Sequence, residues 1–123
     1  MNTQIEQVGG SHYAATGQQH WDMAEDWDID YLAGNATAYI LRYDRKGTPK
    51  EDLLKAKSYL ERMILAGRGT KRRVSMSALQ TFYRANNVTG VKARLFHLIL
   101  WRGGLEDVRE AAIILGDLAG RLA

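Results

Sequence analysis

The chain has no cysteine, so neither a disulfide framework nor a thiolate metal site can hold it together. No window approaches the roughly 18 consecutive apolar residues needed to cross a membrane. Met1-Asn2-Thr3-Gln4 opens with neither a basic nor an apolar stretch, so no secretory signal is legible. A cytoplasmic protein with no membrane association is expected. There is no G-x-x-x-x-G-K-[ST], which removes the ordinary phosphate-loop kinases. No Ser/His/Asp or Cys/His set can be nominated for nucleophilic catalysis. His12, His20, Asp22 and Glu25 match no ligand signature, so no metal site is expected.

What remains is ordinary globular usage, 46% hydrophobic and 25% charged over 123 residues. That is enough for one domain or two very small ones, with a thin core. The net charge of +3 is unevenly placed. Residues 1–66 carry seven Lys/Arg against ten Asp/Glu, and residues 67–123 carry ten against four. A basic half of this kind can attract phosphates, and can equally be a solvated or docking face.

The periodicity is helical throughout. Residues 1–20 show no period and read as an arm, and Trp21 to Trp27 can form a short helix. Asp30 is a good N-cap for a helix with an apolar stripe of Leu32, Ala36, Tyr39, Ile40 and Tyr43, which should stop near Gly47. Thr48-Pro49-Lys50-Glu51 offers an N-cap, a proline at N1 and a capping-box glutamate at N3. The helix it starts should bury Leu53, Ala56, Leu60 and Met63 and end at Gly67. Arg68 to Arg73 reads as a flexible basic linker and as the only internal boundary, giving units of 1–66 and 67–123. Further helices are expected near Met76–Arg84, Thr89–Trp101 and Leu105–Leu122. The fold class is therefore all-α, a small bundle of two helical hairpins. The helix over Thr89–Trp101 is apolar nearly all round, so it must be central in the fold or covered by another subunit, and a homo-oligomer is expected. Ala78–Arg84, the turn at 86–90 and Val91–Trp101 have helix-turn-helix lengths. A recognition helix made of Leu, Phe, Ile and Trp cannot read base edges, which argues against nucleic acid as a partner.

Two groups of residues carry possible chemistry. Gly9-Gly10-Ser11-His12-Tyr13 combines a glycine pair whose N–H groups can form an anion nest with a hydroxyl, an imidazole and a flat ring. The same pentad can be a turn that docks the arm, with His12 bonded to backbone. Asn35, Ala38, Arg42 and Arg45 recur along one polar helix face with Lys46 beside them, and the next helix adds Lys55 and Lys57. Arg42 offers a planar fork suited to phosphate. Asp52 could orient a base or hydroxyl or simply complement the helix dipole, and Glu51 and Lys55 are spaced for an ion pair.

Gly9-Gly10-Ser11-His12-Tyr13, Gly34-Asn35, Tyr39-Ile40-Leu41-Arg42-Tyr43 with Lys46-Gly47, Glu51-Asp52-Leu53-Leu54-Lys55-Ala56-Lys57 and Tyr59-Leu60-Glu61-Arg62 occur in that order across about residues 8–66. In this the chain resembles the short nucleotide-kinase-like family of tailed phages, which includes a deoxynucleoside monophosphate kinase without a phosphate loop. The resemblance implies a phage-encoded, oligomeric protein acting in the host cytoplasm. It implies a nucleotide-phosphate site shared by Ser11, His12, Tyr13, Asn35, Arg42, Tyr43, Lys46 and Lys55, with ATP and Mg²⁺ if phosphate is transferred. Relatives usually carry lysine where this chain has Ala38, and the segment after Gly67 has no counterpart in them. The alternative is a non-catalytic anti-defence protein that sequesters nucleotide immune signals or binds a host defence protein.

Overall fold

The computed structural model describes His20, residues 29–45 and residues 47–122, and every described element is helical. The expected arm and the Trp21–Trp27 helix, apart from His20, lie outside the described residues. So do Ser11, His12, Tyr13 and Lys46.

Helix α1 runs from Tyr31 to Arg42, and Asp30 caps it as expected, its Oδ1 accepting from the Ala33 N–H at 3.0 Å. The buried positions are Ala33, Ala36, Thr37, Ile40 and Leu41. That arc is turned away from the expected stripe, leaving Leu32, Tyr39 and Tyr43 at its half-buried edges. The reason is that α1 meets two neighbours rather than one, so its apolar arc widens. Tyrosine, with an apolar body and a polar tip, suits the margin.

Helix α2, Pro49–Leu65, starts at the expected proline, but the capping box does not form. Thr48 makes no side-chain cap, and only its carbonyl is engaged, accepting from Asp52 N at 3.0 Å. Leu53, Ala56, Leu60 and Met63 are fully buried. The helix closes with paired bonds from Gly67 N to Ile64 O and from Arg68 N to Met63 O. This termination needs a left-handed residue, which Gly67 supplies at φ 71°.

Helix α3 spans Met76–Asn86, with the Ser75 hydroxyl capping Ala78 N. Helix α4 spans Gly90–Phe96 and continues as a π-helical segment, His97–Arg102. Helix α5 runs from Leu105 to Gly120, with Asp107 reaching back to the Gly104 N–H. Helix α2 packs most extensively against α1 and α5, while α4 touches α1. One core cluster joins elements from both halves of the chain.

Two expectations about the second half need correction. The first concerns the 68–73 segment, read as a flexible linker. It is a strap laid across the end of α4: Thr70 N donates to Gly103 O at 2.8 Å, Thr70 Oγ1 to Ile99 O at 2.6 Å and Val74 N to Leu100 O at 2.8 Å. Its near end is tied to the start of α1, where Asp30 accepts from Lys71 N at 2.9 Å and faces Arg68 at 3.7 Å. A β-carbon on Gly69 would stand 2.0 Å from Gly103 O, so the two backbones meet only because Gly69 has no side chain. The carbonyls that the strap satisfies are those a helix end leaves bare.

The second correction concerns the reason for expecting an oligomer. Leu95, Phe96, Ile99 and Leu100 are fully buried within the single chain, so α4 is the central element and needs no second subunit to cover it. Trp101 is its one large apolar side chain left exposed, and it stacks on His97 with ring centroids 4.9 Å apart.

Candidate functional site

The packing of α1 against α2 brings the polar edge of one beside that of the other. Tyr39 and Arg42 lie three residues apart on α1, which places one above the other on a helix face. The Arg42 guanidinium lies over the Tyr39 ring, 4.4 Å from its centroid, and Lys55 Nζ from α2 approaches the same ring to 5.5 Å. Both distances fall within cation–π range. Two cations from two helices therefore share one tyrosine. The expected Glu51–Lys55 ion pair does not form among the described residues; the ion pair on this helix is Lys57 with Glu61 at 2.9 Å.

The aromatic surface continues beyond Tyr39. Tyr59 stacks on it at 6.1 Å with an interplanar angle of 19°, and Tyr31 meets Tyr59 edge-on at 6.4 Å. Tyr31 is 73% exposed, so this end of the ladder opens to solvent. A groove of about 510 Å³ lies beside Tyr39 and Tyr59, lined also by Lys55, Ser58, Glu61, Arg62 and Leu65. A flat aromatic floor with cations at one end can take a planar ring on the floor and an anion at the cations.

Beside Arg42 lies Asp52. Its position in the first turn of α2 suggests helix-dipole decoration, but the side chain is turned inward and only 3% exposed. Asp52 Oδ2 stands 3.9 Å from Arg42 Nε, and neither buried atom has a hydrogen-bond partner.

The other expected site residues are not gathered here. Asn35 donates its amide to Tyr31 O at 2.8 Å, a bond within its own helix. Tyr43 lies under Lys92, whose Nζ is 5.3 Å from the ring, and burial, with Asp44 beside it, raises its phenol above the ordinary value. Lys92 itself is a buried cation that caps the end of α1 through Leu41 O and pairs with Asp44. Of the expected set, Arg42 and Lys55 converge and Asn35 and Tyr43 point elsewhere.

Sequence reasoning placed Tyr39 in the core stripe and gave Tyr59 and Arg62 no separate role. The available signal was the Tyr39-x-x-Arg42 spacing, since an arginine one turn after a tyrosine on a polar margin lies over its ring. His20, considered only as a weak metal ligand, instead bonds the buried Thr37 hydroxyl through Nε2 at 2.7 Å. Burial pushes its imidazole down to about 4. Among the described residues no three His, Asp or Glu side chains converge in a way that could hold a metal ion, and no helix is long and apolar enough to cross a membrane.

No curated protein and no solved structure matches the chain. A family model described as a protein of unknown function (DUF3310) matches residues 8–61, a span that includes Tyr31, Tyr39, Arg42, Asp52, Lys55 and Tyr59.

Proposed function

We propose that the outer face of the α1–α2 hairpin binds a nucleotide, with its base on the Tyr39–Tyr59 shelf and its phosphate at Arg42 and Lys55. The observation that carries this reading is the convergence of those two cations on the ring of Tyr39. An aromatic ring suits a base of any identity, and a guanidinium fork suits phosphate oxygens. The resemblance of residues 8–66 to phage nucleotide-kinase-like proteins points the same way.

The kinase form of this reading calls for ATP and Mg²⁺. The described residues do not fit a protein-held Mg²⁺. Asp52, the carboxylate beside Arg42, already faces that cation, and among the described residues it belongs to no group of three His, Asp or Glu side chains. No step is therefore routed through a metal, and the proposal is confined to binding.

Titration of each deoxynucleoside monophosphate, with and without ATP, tests it directly, and product separation reads any phosphoryl transfer. Arg42→Ala should weaken nucleotide binding by about 10- to 150-fold with helicity unchanged, the equivalent of about 1.5–3 kcal/mol for a charge-assisted contact. Lys55→Ala, which leaves the Arg42–Asp52 pair in place, should weaken it in the same direction. Unchanged affinity for every mono-, di- and cyclic nucleotide in both variants would refute the site. Binding without turnover would assign it to capture of nucleotides rather than their phosphorylation.

A further inference from the structure

We infer that Asp52 is a positioning residue, which fixes the guanidinium of Arg42 so that its outer edge faces the phosphate of a bound nucleotide. The inference rests on the nucleotide-binding reading above. A free arginine has many rotamers, and ordering one costs up to about 2 kcal/mol. Arg42 is held on two sides. The ring of Tyr39 takes its face at 4.4 Å, and the buried carboxylate of Asp52 stands 3.9 Å from its Nε edge. Nε is buried while about a third of the side chain remains exposed, at 34%, so the terminal nitrogens are the donors a ligand can reach.

Among the described residues the carboxylate meets no other cation. Asp52 is 3% exposed, and its Oδ2 has no hydrogen-bond partner, an arrangement costly to leave unmade. Helix-dipole complementation would be served as well by an exposed side chain, as at Glu51 in the same turn. The separation of 3.9 Å exceeds a charge-assisted hydrogen bond by about 1 Å, so a small rotation of Arg42 closes it. Such a pair locks the fork in one plane, and bidentate recognition of phosphate depends on that plane.

The experiment compares wild type, Asp52→Asn, Arg42→Ala and the double variant. Each is titrated with a deoxynucleoside monophosphate and with the matching phosphate-free deoxynucleoside. Asp52→Asn keeps the shape and should weaken monophosphate binding about tenfold while leaving nucleoside binding unchanged. In the Arg42→Ala background the same substitution should have no further effect, because Asp52 then has nothing to orient. Equal losses for nucleotide and nucleoside, or additive losses in the double variant, would overturn the assignment.

A second readout needs no ligand. The Arg42 Nε–H resonance in the nitrogen–proton spectrum should shift, and its exchange with water should quicken, in Asp52→Asn. An unmoved resonance overturns the inference even if nucleotide binds. If wild type binds no nucleotide, the proposed function fails, while the resonance still decides whether Asp52 holds Arg42.

Discussion

Lowering the pH from 7 to 5 should destabilise the fold through one imidazole. His20 is set against the buried hydroxyl of Thr37, whose one proton has the Ala33 and Gly34 carbonyls within reach; when the proton goes to either of them, the neutral ring N–H is the donor to the hydroxyl. Burial pushes the folded imidazole down to about 4, against 6.5 for the free side chain. The unfolded chain therefore takes up a proton first as the pH falls. The stability from keeping this ring neutral is complete above about 6.5 and is lost progressively towards 4. Integrating proton uptake between those two values gives a loss of about 2 kcal/mol at pH 5 relative to pH 7. Urea unfolding followed by circular dichroism at both values would measure it. His20→Gln retains an amide N–H for Thr37 but cannot titrate, so the difference between wild type and variant isolates this residue from the other histidines. If wild type loses no more stability than His20→Gln, the imidazole is not buried against α1 and the reasoning fails.

The other expected outcomes concern Lys92, three glycines and Ala38. Lys92→Met keeps the volume but removes the donor to Leu41 O and the partner of Asp44, and should cost about 2 kcal/mol in chemical unfolding. Gly69→Ala should cost about 3 kcal/mol, because the clash is with backbone; Gly103→Ala, at φ 62° and against the movable Arg73 side chain, should cost about 1–2 kcal/mol. Gly47→Ala, with open space around it, should stay within about 0.5 kcal/mol and serves as the control for the same denaturation series. Ala38→Lys adds a cation one turn from both Asn35 and Arg42, and should tighten nucleotide binding by about two- to fivefold, with any phosphoryl transfer rising alongside. Unchanged affinity in that variant would place the phosphate away from this stretch of α1.

Helix positions were legible because their signals are local. Asp30, Pro49 and Gly67 sit at element ends as expected, and the apolar stripe of α2 is buried as spaced. The strap was not legible. A run of Gly, Thr, Lys and Arg has the composition of a solvated linker, and its order comes from carbonyls of Ile99, Leu100 and Gly103, about thirty residues away. The buried stripe of α1 was misjudged in phase for a related reason, since a single helix cannot reveal that it will have two neighbours. For the candidate site, the cations could be read from type and spacing. Asp52 could not be assigned, because an acidic first turn looks the same whether it faces water or an arginine. The π-helical continuation of α4 left no mark in the hydrophobic pattern, as Leu98, Ile99 and Leu100 suit either geometry.

The strap also sets an order of assembly. The α1–α2 hairpin draws on contacts close in the chain and can form early, since short loops close at little entropic cost. The strap cannot. Thr70 reaches its acceptor on Ile99 across 29 residues, so it has nothing to bond until α3 and α4 exist and have turned back on the hairpin. During synthesis it leaves the ribosome well before its acceptors do. The bare end of α4 waits for it in the same way, and the two must close together. Segments 68–74 and 97–103 are therefore expected to close together, and their amide protons should exchange as a block rather than residue by residue.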